Sequence, residues 1–506
     1  MKKFLFLCIA FLMGLTVNAQ TTSKVHNSAL QKAYVAQRMA KIRQRNATRA
    51  AEGESSIYTG KKKALVILAE YADVPFQKEN TVDFFKKVCN EPNFSERDFK
   101  GSVRDYFLTQ SNNQFDLSFD VLGVCKLKQN RAYYSQNNEA KGHEMLVEAC
   151  NWAKEQKVDF SQYDWDGDGY VEEVFILFSG NGIDKTAINP YMSYLSWDDY
   201  NNYEYGMDVG NDIYVDQYAC SCELYNNSRV SGIGSFCHEF SHCMGFPDVY
   251  GDYTGMGYYD IMDYGLYNGD EYQPIGYSAW EKAQCGWTEL KDMTNIDKQV
   301  DVTGIQAVSE GGDAYIIKNK GNENEFYVIE YRRQSKSDEA MLCEGLMITH
   351  IDYDEDVWYY NMPNSYDYYY AYENGKWVTK LNDHARYALV PADGTADLSG
   401  APLYNGATTK EFSKTSTPAA TLYNANADGT KYLHVAVKNI KRNRKDGTMS
   451  LSFVPEGSST GINSINMDSE AKIDSYYSID GIRLSQPQKG INIIHYSDGH
   501  TQKVVY

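Results

Sequence analysis

The sequence predicts a mixed α/β body, then a β-rich domain, then a small β tail. Three observations predict this order. Between Lys61 and Leu290, apolar runs such as Ala64–Ala69 and Val174–Phe178 alternate with helical stretches such as Glu139–Glu155, the pattern of a sheet covered by helices. From Gln299 to Val454 short alternating strands take over, at Ala314–Lys318, Phe326–Arg332, Gly345–Asp352, Tyr432–Val437 and Thr448–Phe453. From Ile473 to Tyr506 four shorter strands are punctuated by Asp480-Gly481 and Asp498-Gly499 turns.

Taken in order, residues 1–19 read as a secretory signal peptide. A basic Met-Lys-Lys start precedes the apolar run Phe4–Leu15, and Ala19 supplies the small residue before the expected cut. The run is too short to span a membrane, and nothing later is long and apolar enough to do so. Secretion or cell-surface display is therefore expected. Residues 20–60 are polar, basic and helix-prone, with Val35, Met39 and Ile42 on one modest apolar stripe; they read as a propeptide or lead-in. Residues 61–290 form the α/β body and 291–455 the β-rich domain. Glu456–Gly461 is a Gly/Ser linker leading into the tail, so 456–506 is set apart as a unit.

The chemistry is concentrated in Gly234-Ser-Phe-Cys-His-Glu-Phe-Ser-His-Cys-Met-Gly-Phe-Pro-Asp248, which reads H-E-x-x-H-x-x-G-x-x-D. On a helix His238 and His242 share one face and can grip one Zn²⁺, with Glu239 beside the open position. Gly245 can end the helix and turn the chain back, bringing Asp248 in as third ligand. Three protein ligands and one water describe a catalytic zinc and not a structural one. Zinc would acidify its water and polarise a scissile carbonyl, with Glu239 as general base and then acid. A helix with two core histidines is the bland alternative, and the Gly245–Asp248 extension argues against it. Met262, in Asp-Ile-Met-Asp-Tyr-Gly265, resembles the Met-turn beneath the metal of metzincins. Tyr264, two residues on, is a candidate to reach the metal or the oxyanion, with plain packing as its alternative. The run Ile213–Tyr218 is a candidate edge for pairing with an extended peptide.

Asp164, Asp166 and Asp168 alternate ahead of Gly169, and such a run can curl carboxylates around Ca²⁺. The twelfth position is Phe175, so this is not an EF-hand; Glu172 or Glu173 could add a later ligand. His350, Asp352, Asp383 and His384 form a weaker group, for which hydrogen bonding is expected ahead of a second metal.

These motifs together resemble the immune inhibitor A-like family of secreted metzincin metallopeptidases. Lys63–Phe76 resembles the first core strand of that family. Ser102-Val-Arg-Asp-Tyr-Phe107 with Gln114-Phe-Asp116 resembles the helix and strand after it. Asp159–Gly169 is similar to its acidic loop, and Ser278-Ala-Trp-Glu-Lys282 with Gly286-Trp287 to the segment after the Met-turn. Gly345–Asp352 resembles its β-rich part, so the resemblance runs from about Lys61 to about Val454. It implies a metzincin-like α/β (α+β) catalytic domain, a zinc endopeptidase acting on proteins or peptides, and a calcium loop. The tail, with Tyr477-Ser-Ile-Asp-Gly481 and Gly490-Ile-Asn-Ile-Ile494, resembles C-terminal sorting domains of type IX secretion, implying secretion machinery as a partner.

Composition bounds the rest. A net charge of −19 over 506 residues excludes nucleic acid as an expected partner. A monomer is expected. Of ten cysteines, Cys8 lies in the leader, and the odd remainder leaves at least one thiol unpaired. Cys237 and Cys243 flank the histidine pair on different helical faces, so packing or a bridge is expected of them and not zinc ligation. The 43 tyrosines cluster at Tyr191–Tyr205 and Tyr366–Tyr372, where surface loops are expected ahead of substrate-binding ones. A second function of another class is an inactive, calcium-stabilised surface adhesin on a peptidase fold. The intact Glu239 argues against it.

Overall fold

The computed structural model describes residues 56–134, 139–182, 188–195, 206–225, 229–373, 376–396, 398, 402–407, 409–456, 473–478, 482–496 and 501–505. The expected leader, nearly all of the lead-in, most of the 456–461 linker and both Asp-Gly turns of the tail lie outside these residues.

The first body is built on strands β1 (Gly60–Glu70), β2 (Phe115–Lys126), β3 (Val174–Asn181), β4 (Tyr191–Tyr194), β5 (Met207–Gly210), β6 (Ile213–Val215), β7 (Gln217–Tyr225) and β8 (Arg229–Val230). Six of them form one sheet in the order β2-β1-β3-β7-β4, with β8 also on β7; β5 and β6 pair as a separate ribbon. The first four strands in that order run parallel, while β4 and β8 run antiparallel to β7. A sheet covered on both faces reads as a continuous apolar run, which is why Ala64–Ala69 shows no polar alternation. Ala64, Val66 and Leu68 join a core with Phe84, Phe107, Phe236 and Phe240. Leu65, Ile67 and Ala69 join another with Met145, Leu146 and Ala149.

Four helices pack on these strands, α1 (Val82–Asn90), α2 (Val103–Gln110), α3 (Glu139–Glu155) and α4 (Gly234–Cys243), while α5 (Ala279–Gln284) packs against the later strands Leu290–Asp292 and Glu325–Arg332. Capping boxes at Ser102 and Ser278 start α2 and α5. Helix α4, which carries the histidine motif, is anchored through its apolar face. The Phe236 ring stacks on Phe175 of β3 at 3.7 Å between centroids, and Phe240 meets Phe107 at 5.0 Å. Burying each such ring stabilises the docking by about 1.5–3 kcal/mol. The expected edge at Ile213–Tyr218 is corrected. Ile213–Val215 pairs in the ribbon, and Gln217–Tyr218 lies inside the sheet between β3 and β4. Among the described residues the antiparallel strands outside β7 are β4 and the two-residue β8.

The β-rich part contains β9 (Leu290–Asp292), β10 (Val300–Ile305), β11 (Ala314–Lys318), β12 (Glu325–Arg332), β13 (Gly345–Asp352), helix α6 (Glu355–Tyr359), β14 (Tyr368–Glu373), β15 (Lys376–Leu381), β16 (Tyr387–Leu389), β17 (Val435–Asn443) and β18 (Thr448–Pro455). A five-stranded sheet, β16-β13-β12-β11-β9, faces a three-stranded one, β10-β18-β17. Tyr315, Ile317, Ile329 and Ile348 pack with Val437, Leu451 and Phe453 between them. The other face of the larger sheet, through Ile316, Val328, Met347 and Leu389, joins the core that holds Phe240, Met262 and Trp280. The tail forms its own four-stranded sheet from β19 (Ile473–Ser478), β20 (Arg483–Leu484), β21 (Ile491–Tyr496) and β22 (Thr501–Val505). No helix among the described residues is long and apolar enough to cross a membrane.

Candidate metal centre

The 3.6-residue repeat puts His238, Glu239 and His242 on the side of α4 away from its phenylalanine anchors. Their ligand atoms lie within 4.8 Å of one another. Helix α4 then stops in a Schellman motif. Gly245 takes φ +96°, the Gly245 N–H donates to the His242 carbonyl at 2.9 Å, and the Phe246 N–H donates to the Ser241 carbonyl at 3.2 Å. This reversal does two things. It aims the Phe246 carbonyl at His242 Nδ1, 2.7 Å away, and it carries Asp248 back over the histidines. Asp248 Oδ1 lies 3.2 Å from both His238 Nε2 and His242 Nε2.

The Nδ1 atoms of both rings sit on backbone carbonyls, His238 on Ile261 at 2.8 Å and His242 on Phe246. An Nδ1–H donating there leaves each Nε2 as a lone pair, the tautomer that binds a metal. Asp248 Oδ1 is buried and has no hydrogen-bond donor. Three electron-pair donors thus converge on one point. Ligands about 2.0–2.2 Å from a tetrahedral zinc stand about 3.3–3.5 Å apart, so spacings of 3.2 Å fit that ion. Electrostatics agree. Burial pushes both imidazoles down, but the Asp248 carboxylate outweighs it and holds them above their ordinary value. Burial likewise opposes ionisation of Asp248, yet the two rings keep it far below the usual carboxylate range. A dication satisfies the same three groups.

Glu239 is one residue off the ligand line, its Oε2 4.0 Å from His242 Nε2. Burial pushes its carboxyl up to about 8, His238 opposes that and Asp248 reinforces it. Met262 is fully buried in a turn closed by Gly265 N–H to the Asp260 carbonyl at 3.0 Å. Asp260 Oδ1 accepts from the Met262 N–H at 2.8 Å, and the Met262 carbonyl accepts from Val249 at 2.9 Å. This turn therefore sets both the Ile261 carbonyl and the chain next to Asp248. Tyr264 is 49% exposed and its ring stacks on Tyr250, 6.4 Å between centroids, and tilts over Tyr258. It forms a rim with half-exposed Tyr267.

Three contributors were missed in the sequence, and a fourth, Glu173, was read there as a possible calcium ligand but lies by Cys243 and Glu239. Asn361 donates from Nδ2 to Asp248 Oδ2 at 2.7 Å and accepts the Asp248 N–H on Oδ1. Glu173 is buried behind the helix; burial, opposed by the Cys243 thiol and assisted by Glu239, holds its carboxyl well above the usual range. Tyr250 is pushed up by burial and by the charges of Asp248 and Glu239, a pairing its place two residues after Asp248 could have suggested. The Ile261 carbonyl carries no side-chain signal at all. Cys89, Cys125, Cys150, Cys220, Cys222, Cys237 and Cys285 are free thiols, and Cys237 packs in the core.

In the acidic loop, Asp164, Asp166 and Glu172 bring oxygens within 4.8 Å of one another. Asp164 accepts from the Gly167, Asp168 and Gly169 N–H groups, which curls the loop. Asp168 turns its Oδ1 back to the Tyr170 N–H at 2.8 Å, and Glu172 stands in its place in the group. His384 bonds Asp352 and Asp383 at 2.8 and 2.7 Å, and His350 bonds Glu325 at 2.9 Å.

Residues 53–288 match the family model of the immune inhibitor A peptidase M6 catalytic domain. That stretch is similar to the catalytic domain of that family. The match encloses every group of the centre except Asn361, and the stretch read as family-like from there to Val454 is not covered by it. Two relatives are the pre-pro-metalloproteases PrtV of Vibrio cholerae serotype O1, strains M66-2 and ATCC 39315 / El Tor Inaba N16961. Each is 25% identical over 271 residues, covering 44% of this chain and 29% of the relative. The chain thus matches less than a third of the length of these relatives.

Proposed function

We propose that this chain is a secreted zinc-dependent endopeptidase of metzincin type. The observation that carries the reading is the convergence of His238 Nε2, His242 Nε2 and Asp248 Oδ1, each held by a partner on its far side, inside a peptidase-family domain. These three residues would hold the zinc, with Met262 in the turn beneath it. Bound there, zinc supplies a Lewis acid that polarises a peptide carbonyl and lowers the pKa of water. Glu239 accepts the proton from the attacking water and delivers it to the leaving amine. Its burial keeps bulk water from competing for that proton, and a bound dication would draw its pKa down from the raised value. The outer strand β4 is the edge on which an extended substrate would pair, and the Tyr264 and Tyr267 rim supplies aromatic surface near the Tyr250 ring. No Ser or Cys nucleophile is needed.

The test is digestion of casein by the purified protein with and without a chelator. Glu239→Gln should retain one zinc per chain and lose about 10²–10⁴-fold in turnover. Near-normal turnover in that variant sinks the mechanism.

The Asp164, Asp166 and Glu172 group supports a calcium site that stabilises the fold away from the chemistry. Calcium should raise the melting temperature by mass action on the folded state, and Asp166→Ala should erase that shift. No shift in the parent protein leaves only an acidic turn. The N-terminal leader and the tail support export, with the tail as its address.

A further inference from the structure

The segment after helix α6 grips the ligand-bearing loop at several points. Asn361 brackets Asp248 through its backbone N–H and Oδ2. Asn364, fully buried, donates from Nδ2 to the Val249 carbonyl at 2.6 Å, and its own carbonyl accepts from the Tyr253 N–H at 2.9 Å. The Tyr366 N–H donates to Asp252 Oδ2 at 2.8 Å. At Gly251 a side-chain carbon would lie 2.3 Å from the Asn364 carbonyl oxygen, so the two chains touch backbone to backbone.

The orientation of Asn361 is forced by its partners. One is an N–H that needs an acceptor and the other a carboxylate that needs a donor, so only one arrangement of the amide satisfies both. With Oδ2 held, Asp248 cannot rotate, and Oδ1 alone faces the two imidazoles. The backbone of Asn361 is equally defined. It occupies the left-handed C′ position of α6, φ +55°, with its N–H on the Trp358 carbonyl at 3.0 Å and the Met362 N–H on the Val357 carbonyl at 3.1 Å. That is a second Schellman motif, and asparagine tolerates its φ.

We infer that Asn361 is a positioning residue for the metal centre, so that the centre is completed by the β-rich part and does not lie wholly within residues 53–288. This rests on the zinc reading of His238, His242 and Asp248. A carboxylate ligand fixed through its second oxygen binds without first losing rotational freedom, and loss of such a partner typically weakens metal binding about 10–100-fold.

The test is zinc affinity of the full-length protein, measured by competition with a chelating dye, beside the melting temperature of the metal-free form. Asn361→Gly suits the left-handed backbone better than asparagine does and removes only the side chain. It should melt within a few degrees of the parent and bind zinc about 10–100-fold more weakly. Asn361→Asp keeps the shape but sets a carboxylate against Asp248, and it should weaken zinc further. His238→Ala is the control on the reading beneath. If His238→Ala loses zinc while both Asn361 variants bind it as tightly as the parent, the inference is overturned. If His238→Ala keeps zinc, the zinc reading itself fails. A lower metal-free melting temperature with unchanged zinc affinity makes Asn361 a structural contact and also overturns the inference.

Discussion

Glu325 is fully buried on β12, and four donors reach its carboxylate: His350, the Asn319 amide, and the Tyr423 and Asn424 backbone N–H groups. Burial raises its pKa, but those donors outweigh it and bring it down to about 2. A folded-state value below the unfolded one, near 4.3, adds stability above the unfolded pKa. That stability disappears as pH falls from about 4.5 to about 2. The shift corresponds to about 3 kcal/mol at most. Urea unfolding of the parent and of Glu325→Gln between pH 5 and 2 should converge as pH falls; parallel curves would show that the carboxylate contributes no linkage. The candidate metal centre repeats the logic of donors surrounding a charge. There the candidates were legible, because His238, Glu239, His242 and Asp248 fall within eleven residues, the first three ordered by one helical repeat and Asp248 returned by the turn at Gly245. Asn361 was not legible, since its 113-residue separation from Asp248 is bridged only by tertiary packing.

At the scale of elements, α4 ends where glycine permits it to. Gly245→Ala leaves open space around the new methyl group, so its cost is purely conformational. An L-residue forced to φ +96° loses about 1–2 kcal/mol. Relief by unwinding the turn would move both the Phe246 carbonyl and Asp248. The variant should therefore lose zinc affinity as well as stability, and a fall in melting temperature with unchanged affinity would separate the helix stop from the ligand loop. Gly245 was legible as a helix stop for this local reason, and so were α3 and β13, whose bounds follow from periodicity. The outer strand was not. Ile213–Tyr218 and Tyr191–Tyr194 both carry β-forming residues, and which one reaches the edge is set by pairing with β7, a long-range choice absent from either segment.

For the molecule as a whole, the sequence marks a boundary near residue 290 because the pattern of strands changes there, yet the packing continues across it. Arg332 of β12, 1% exposed, is the clearest joint. Its guanidinium donates to both oxygens of Asp338 at 2.9 and 3.1 Å, to Glu330 at 3.2 Å, and to the carbonyl of Gly276 in the first body at 3.1 Å. Asp338 in turn accepts from the Gly276 N–H, and Glu330 caps the first turn of α5 at Ala279. Removing the cation leaves two buried carboxylates with only the Lys282 ammonium to offset them, and breaking such a buried pair typically costs about 3–5 kcal/mol. Arg332→Met should lose about that much in equilibrium urea unfolding. Because the Glu330 and Asp338 carboxylates brace α5 and Gly276, the loss should move one shared transition and not split it in two. Adding Glu330→Gln and Asp338→Asn to Arg332→Met removes the stranded charges and should recover part of the loss, since the penalty lies in unpaired charge more than in missing contact. A loss below about 1 kcal/mol in the single variant, or a separate early transition for the β-rich part, would mean that the shared core alone joins the two bodies and the buried ions do not.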